Sequence, residues 1–161
     1  MARTRLLVSA CLAGEACRYD CRAKPDAAAV AAVRAGEAIA LCAEQLGGLP
    51  TPRPAAEIVG GDGHDVLAGT AAVVTIEGED CTDAFVRGAQ IVAERAVAAG
   101  VTRAVLQARS PSCGAGAIYD GTHSGQLVPG DGVLAALLRS RGIAVTSVRG
   151  TSAESSASAP V

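Results

Sequence analysis

Leu6-Leu7-Val8-Ser9-Ala10 is a short, continuous apolar run, and such a run predicts a β-strand that is buried on both faces. Three later segments, at positions 38–41, 104–106 and 143–148, have the same character. A β-rich stretch at 73–76 predicts a further strand at the edge of a sheet. Strands that are apolar throughout belong to parallel sheets covered on both faces, so these runs point to an α/β fold.

Helices are predicted between the strands from their start and stop signals. Pro25 and Asp26 open an Ala- and Val-rich helix that ends at Gly36, with proline at its start and glycine at its end. Thr82 is predicted to cap a second, longer helix. Asp131 is predicted to cap the last helix, which ends at Gly142.

The alternation of strands and helices predicts one α/β domain with a Rossmann-like parallel sheet and helices on both of its faces. Residues 1–149 form this domain, and 150–161, which lack any periodicity, are predicted to be a disordered C-terminal tail. Right-handed crossovers bring the carboxyl end of every strand to one edge of the sheet, where such folds bind ligands. The stiff, proline-rich connection at 46–54 is expected to be functional.

The composition excludes several classes of partner. Only 2% of the 161 residues are aromatic and the net charge is −2, which argues against binding to nucleic acid. No stretch reaches the roughly 18 apolar residues that a membrane span needs, so neither a membrane partner nor a location outside the cytoplasm is expected. Six cysteines are too few for a disulfide scaffold. In the cytoplasm, clustered cysteines indicate a metal or catalytic site.

Three of these cysteines follow predicted core strands closely. Cys11, Cys42 and Cys113 each lie within a few residues of a carboxyl end, so the topology gathers them at one edge of the sheet. Three converging thiolates suit a soft metal centre, either zinc or an iron–sulfur cluster. The alternative is that they are small buried hydrophobes. Cys17 is a less favoured fourth ligand or redox partner, and Cys81 is expected to serve packing only.

Two other groups fall in the same segments. Glu44 comes two residues after Cys42 and could act as a general acid or base, although an isolated glutamate in a loop is usually just solvated. Ser110 could hold a ligand or cap the turn that follows it. Three further residues are expected at the lip of the pocket: Arg18, Tyr19 and Asp20. Both histidines, His64 and His123, are placed in glycine-rich loops, away from a zinc pattern.

Several motifs follow one another along the chain: Ser9-Ala10-Cys11-Leu12, Cys17-Arg18-Tyr19-Asp20, Cys42-Ala43-Glu44-Gln45-Leu46-Gly47-Gly48-Leu49-Pro50-Thr51-Pro52-Arg53, Arg109-Ser110-Pro111-Ser112-Cys113-Gly114, Ile118-Tyr119-Asp120-Gly121 and Gly130-Asp131-Gly132-Val133. Together they resemble a small bacterial family, long labelled a domain of unknown function, that includes the 2-thiouracil desulfidases. The resemblance runs in order over positions 6–148.

The resemblance implies a [4Fe-4S] cluster held by Cys11, Cys42 and Cys113, with Cys17 as the alternative ligand. One iron is left open for the sulfur of a thiolated pyrimidine, and water replaces that sulfur by hydrolytic, non-redox C–S cleavage to give uracil and sulfide. The resemblance assigns proton transfer to Glu44 and the positioning of substrate or sulfur to Ser110.

The family pattern leaves other functions open. The chain departs from it at Cys21, where glycine is usual, and at Gln107-Ala108, where a charged pair is typical. A different small thio-compound is an alternative substrate, since a family does not fix one. A cluster-bearing sensor or sulfur carrier without turnover, and a structural zinc–thiolate protein, are the alternatives outside this enzyme class. A homodimer is compatible with so small a domain.

Overall fold

The secondary structure alternates between strands and helices along most of the chain. The structure, a computed structural model, describes residues 6–150. Its strands are β1 (Leu6–Ser9), β2 (Ala38–Leu41), β3 (Ala56–Val59), β4 (Ala72–Thr75), β5 (Arg103–Gln107), β6 (Ala117–Tyr119), β7 (Leu127–Pro129) and β8 (Ala144–Val148). Its α-helices are α1 (Ala27–Arg34), α2 (Ala43–Leu46), α3 (Gly63–Ala68), α4 (Thr82–Ala98) and α5 (Val133–Ser140). A 3-10 helix covers Ala10–Ala13.

The central sheet is built from the four predicted apolar runs. Its strand order is β2-β1-β5-β8, and all three neighbouring pairs are parallel. In register, Leu7 lies between Ile39 of β2 and Ala104 of β5. The chain passes from β1 to β2 on one side and later returns to place β5 on the other side. The carboxyl ends of β1 and β5 therefore flank the topological switch point at which open α/β sheets bind ligands.

Helices cover both faces of this sheet, as predicted. Successive side chains of a strand point to opposite faces, and β1 shows the consequence. Leu7 belongs to the large apolar cluster that includes Ala89 of α4 and Leu134 of α5. Val8 belongs to a second cluster, with Ala29 of α1. The predicted α/β class with a parallel sheet is thus confirmed.

Two small antiparallel pairs lie outside the central sheet, and the sequence analysis predicted only one of their four strands. β3 pairs with β4 and β6 pairs with β7, both antiparallel. The predicted strand at 73–76 corresponds to β4. The helix α3 between β3 and β4 was also missed, and it contains His64, which the sequence analysis placed in a loop. Asp62 and Asp65 form a capping box that starts this helix.

The two predicted helix caps are both wrong, and the cap of α1 was not predicted. The helix α1 begins next to the predicted start at Pro25 and Asp26, and the Asp26 carboxylate caps it by accepting a hydrogen bond from the Ala29 backbone N–H (3.0 Å). Thr82 is instead the first residue of α4, because its hydroxyl accepts the Val73 N–H of β4 at 2.9 Å. Asp131 does not cap α5, because its carboxylate accepts the Gly116 N–H at 3.0 Å.

In residues 6–150, no helix combines the length and the apolar character that crossing a membrane requires. The tail predicted for 150–161 lies outside the described residues apart from Gly150.

Candidate active site

A cavity of about 350 Å³ opens at the carboxyl edge of the central sheet. The segments that follow β1, β2 and β5 form much of its wall, as the parallel topology requires. Four cysteines line it: Cys11, Cys17, Cys42 and Cys113. The structure therefore brings the three cysteines predicted from strand topology into one cavity and places Cys17 beside them.

The Cys17 thiol contacts those of Cys11 and Cys42, and all four thiols of this cavity are at least partly shielded from solvent. Cys11, Cys17 and Cys113 are buried, and Cys42 is half-buried. A hydrogen bond with the Cys11 thiol, followed by burial, raises the pKa of Cys17 to about 12, although its contact with Cys42 acts in the opposite direction. The hydrogen bond with Cys17, together with burial, raises the pKa of Cys42 well above the usual thiol range. Burial raises the pKa of Cys113 to about 12.

Ser9 connects the end of β1 to the Cys113 loop. Its hydroxyl oxygen accepts the backbone N–H of Gln107 at 2.9 Å. The same hydroxyl donates to Sγ of Cys113 at 3.3 Å. Because the oxygen accepts from an N–H group, its own hydrogen is available for the sulfur. A buried strand residue thus fixes the side chain of Cys113 from the sheet.

The loop that carries Cys113 also provides the cap of α5. The first N–H groups of a helix lack partners within the helix. Here the Val133 N–H bonds to the Pro111 carbonyl (2.8 Å), and the Leu134 N–H bonds to the Ser112 carbonyl (2.8 Å). Gly132 allows this approach, since a Cβ atom there would lie 2.5 Å from the Ser112 carbonyl. These contacts explain why α5 needs no carboxylate cap.

Ser110 shapes the same loop. Its hydroxyl oxygen accepts the backbone N–H groups of Ser112 and Cys113, both at 3.0 Å. Of the two roles considered for Ser110, the structure shows the cap of the turn. Ser110 also lines the cavity, so its predicted role toward a substrate stays a prediction. The neighbouring Ser112 hydroxyl is buried and has no hydrogen-bond partner at normal distance within residues 6–150.

Cys42 and Glu44 are positioned by the short helix α2. Cys42 is its N-cap residue, and Glu44 lies in its first turn rather than in a loop. This helix rests directly on α4 through two glycines. A Cβ atom at Gly88 would lie 1.8 Å from the Ala43 carbonyl oxygen, and one at Gly47 would lie 2.0 Å from the Ala84 carbonyl oxygen. The close backbone contact therefore needs glycine at both positions.

An ion pair that the sequence analysis missed holds Glu44. Nε of Arg53 donates to Oε1 of Glu44 at 2.9 Å. The side chains of Arg53 and Glu44 are 5% and 19% exposed, so the pair is largely removed from water. Arg53 belongs to the proline-rich connection whose stiffness indicated a functional segment, but nothing in its spacing identified Glu44 as its partner.

The opposite wall of the cavity carries residues that the sequence analysis did not assign to a site. Glu57 of β3 is buried, and its Oε1 accepts the backbone N–H groups of Gly121 (2.9 Å) and His123 (3.1 Å). This contact holds His123 in the left-handed region, with φ 57°. Tyr119 also lines the cavity, as does Tyr19, the other tyrosine of the chain, which was expected at the lip.

Several positively charged side chains line part of the cavity. Of the three residues expected at the lip, Arg18 and Tyr19 line the cavity and Asp20 does not. The Arg18 guanidinium is 5.4 Å from the centre of the Tyr19 ring. Asp20 accepts from Arg18 at 3.5 Å. Lys24 and Arg149 also line this part, and burial, followed by the nearby Arg18 and Arg149 charges, lowers the pKa of Lys24.

The remaining two cysteines lie elsewhere. Cys21 is exposed. Cys81 lines a smaller cavity of about 230 Å³, whose wall also includes Glu44 and Arg53. Over the part of the chain from Leu6 to Gly150, no three His, Cys, Asp or Glu side chains are arranged around a position for a single metal ion.

Comparison with known proteins identifies the family. The family model of 2-thiouracil desulfurase matches residues 6–149. The chain is 44% identical over 142 residues to the uncharacterized protein YbbK of Bacillus subtilis (strain 168). This match covers 88% of this chain and 94% of YbbK. The chain also matches a solved structure of the [4Fe-4S]-dependent thiouracil desulfidase TudS, with 41% sequence identity and a TM-score of 0.78. This match covers 90% of this chain and 91% of the TudS chain.

These matches confirm three predictions from the sequence: the family resemblance, the fold class and the class of enzyme. The predicted [4Fe-4S] cofactor matches the cofactor on which TudS depends. The order of the family motifs, the parallel sheet and the matched length all agree, so the chain belongs to the 2-thiouracil desulfurase family.

Proposed function

We propose that this protein is a thiouracil desulfidase that converts 2-thiouracil, or a closely related thiolated pyrimidine, into uracil and sulfide with the help of a [4Fe-4S] cluster. The observation that carries the proposal is the convergence of four cysteines and Glu44 on one cavity of about 350 Å³. The 41% identity to TudS supports the choice of substrate and cofactor.

The donor set of the cavity fits an iron–sulfur cluster. Such clusters are bound by cysteine thiolates, and each cysteine binds a different iron, so the sulfurs need not surround one point. We assign Cys11, Cys42 and Cys113 as the ligands because they come from the ends of three adjacent strands. Cys17, whose thiol contacts those of Cys11 and Cys42, is the alternative ligand. The buried Ser112 hydroxyl lies close enough to the Cys113 thiol to act against the rise in its pKa, and so adds a donor beside this ligand.

Held by Cys11, Cys42 and Cys113, a [4Fe-4S] cluster would supply one iron without a protein ligand, which would be a soft Lewis acid for the sulfur of the substrate. The reaction replaces a carbon–sulfur bond with a carbon–oxygen bond from water. Thiouracil and water thus give uracil and hydrogen sulfide, and no electron donor is needed. Glu44 lies on the cavity wall, where its carboxylate takes a proton from the attacking water and returns one to the pyrimidine or to the leaving sulfur.

Other side chains of the cavity wall orient the substrate. Tyr19 and Tyr119 provide the aromatic surface against which a flat pyrimidine can pack. Ser110 keeps the Cys113 loop in its turn and presents its hydroxyl to the same space. We infer that this hydroxyl positions the substrate or its sulfur.

The test is anaerobic reconstitution of the full chain with iron and sulfide, followed by measurement of uracil and sulfide released from 2-thiouracil. We expect brown protein that absorbs near about 400 nm and releases both products in equal amounts. Protein with an intact cluster and no release of sulfide would contradict the desulfidase function and favour a sensor or carrier. Colourless protein that binds zinc would contradict the cluster.

Variants separate the ligands from the proton-transfer group. Serine in place of Cys11, Cys42 or Cys113 should reduce the iron content, whereas serine at the exposed Cys21 should not. Glu44→Gln should keep the cluster and lower the rate of sulfide release by about 100-fold or more. Glu79→Gln is the matched control, since Glu79 lines only the smaller cavity. Wild-type turnover in Glu44→Gln would exclude the proton-transfer role.

A further inference from the structure

Most of the donor groups of the Arg53 side chain, which lines the cavity, are used in hydrogen bonds. Its guanidinium makes four hydrogen bonds: to Glu44 Oε1 (2.9 Å), the Cys17 carbonyl (2.9 Å), the Pro50 carbonyl (3.0 Å) and the Thr51 hydroxyl (2.9 Å). Its side chain is only 5% exposed. A buried guanidinium persists when its charge is paired and its donors are used, and both conditions hold here.

The partners of Arg53 belong to separate parts of the site. Glu44 lies in α2, after β2. Cys17 lies in the segment after β1, and its carbonyl oxygen accepts from Arg53 Nη2 at 2.9 Å and from the Cys42 thiol at 3.9 Å. The backbone N–H of Arg53 also donates to the Tyr19 carbonyl at 2.8 Å. One residue therefore contacts the acid–base group, the Cys17 segment and the segment that carries Tyr19.

We propose that Arg53 is a positioning residue that fixes the Glu44 carboxylate and, through the same guanidinium, holds the Cys17 segment against the cavity. The role of Arg53 toward Glu44 rests on the proposed desulfidase function, because that function assigns proton transfer to Glu44. The role toward the Cys17 segment concerns the folded chain alone and can be tested without turnover.

Contact with both Glu44 and the Cys17 carbonyl requires the planar, forked guanidinium of an arginine. Nε faces Glu44 and Nη2 faces the Cys17 carbonyl, so one rigid group sets the spacing between two segments. Since Oε1 of Glu44 is used by Arg53, Oε2 is the oxygen that exchanges a proton with water or substrate. A lysine would keep the positive charge but could not make both contacts in a fixed geometry.

The test compares Arg53→Lys and Arg53→Ala with the wild type. For the reconstituted enzyme, we expect Arg53→Lys to lower kcat by about 10- to 100-fold with little change in KM, because Glu44 is misplaced while the substrate still binds. Added guanidinium should restore part of kcat in Arg53→Ala and none in Glu44→Gln. Wild-type kcat in Arg53→Lys, or the absence of any rescue, would overturn the role toward Glu44.

A second measurement uses the reduced, cluster-free protein. The rate at which iodoacetamide alkylates each cysteine is followed by mass spectrometry. We expect Cys17 to react at least about threefold faster in both Arg53 variants, because its segment opens more often, and Cys113 to be unchanged. Equal Cys17 rates in wild type and variants would overturn the role toward the Cys17 segment. This readout holds even if the wild type fails to act on 2-thiouracil, so the two failures are distinguishable.

Arg87→Gln is the matched control. Arg87 donates to the Gly47 carbonyl at 2.7 Å and so contacts the end of α2, but its hydrogen bond goes to neither Glu44 nor Cys17. Removing it tests whether any lost guanidinium near α2 has the same effect. We expect wild-type alkylation of Cys17 in this variant; acceleration equal to that in Arg53→Lys would show a general loosening of α2 and overturn the specific role of Arg53.

Discussion

Gly88→Ala tests whether the close contact between α2 and α4 positions the site. A Cβ atom at Gly88 would lie 1.8 Å from the Ala43 carbonyl oxygen and 2.7 Å from the Ala43 carbonyl carbon. Both are backbone atoms, so no side-chain rotation relieves the overlap. Because normal contacts begin beyond about 3 Å, α2 must move by roughly 1 Å or more. Ala43 stands between Cys42 and Glu44, so the displacement reaches both.

Two opposing contributions set the change in stability. Alanine is the better helix former by about 1 kcal/mol, which favours the variant. Overpacking typically costs about 1–3 kcal/mol, and the overlap here is severe, so we expect a net loss of roughly 1–2 kcal/mol. For a domain of this size that loss lowers Tm by about 2–8 °C. A displacement of 1 Å at the site should reduce turnover by about 100-fold.

Three measurements on one preparation check this reasoning. Circular dichroism gives Tm of the cluster-free protein, iron content reports loading after reconstitution, and sulfide release reports turnover. Gln90→Ala, at an exposed position of the same helix, is the control and should leave all three unchanged. A Gly88→Ala protein with wild-type or higher Tm and normal sulfide release would refute the idea that this contact sets the position of α2.

Two further substitutions address the sheet edge and the α3 cap. Ser9→Ala removes the acceptor of the buried Gln107 N–H and the donor to Cys113, and should cost about 1–3 kcal/mol in urea unfolding; an unchanged midpoint would contradict this. Burial acts to raise the pKa of Asp62, but hydrogen bonds from the Asp131 and Asp65 N–H groups hold it below the usual value of 3.8. The stability that the Asp62 carboxylate contributes is therefore complete above pH 3.8 and is lost as the pH falls through the lower pKa of the folded state. Below about pH 4, the Tm of Asp62→Asn should therefore fall less steeply than the Tm of the wild type.

The parallel sheet and the gathering of its cysteines could be predicted because both depend on local pattern and general topology. Apolar runs identify buried strands, and right-handed crossovers then leave few arrangements. Cys11, Cys42 and Cys113 followed from their positions after three of these strands. Their predicted role as ligands, the homodimer and the domain boundaries stay predictions.

What the sequence did not predict depends on contacts between distant segments. Asp131 has the residue type of a helix cap, yet α5 uses the carbonyl groups of the Cys113 loop, which only the folded chain brings near. Glu44 and Arg53 form an ion pair, but a proline-rich turn lies between them in the sequence, and the path of this turn cannot be deduced from spacing. The helix α3 could have been predicted from the sequence, since Asp62 and Asp65 have the spacing of a capping box.

The loop that carries Cys113 has one further consequence, which concerns how the chain tolerates change. Loops usually accept insertions and deletions because few contacts depend on them. In this loop, the carbonyl groups of Pro111 and Ser112 hold the first turn of α5, whose apolar residues lie in the core. A change in the length of this loop would therefore displace α5 from the core as well as alter the cavity. This stretch cannot be remodelled to suit a new substrate without a compensating change at the start of α5.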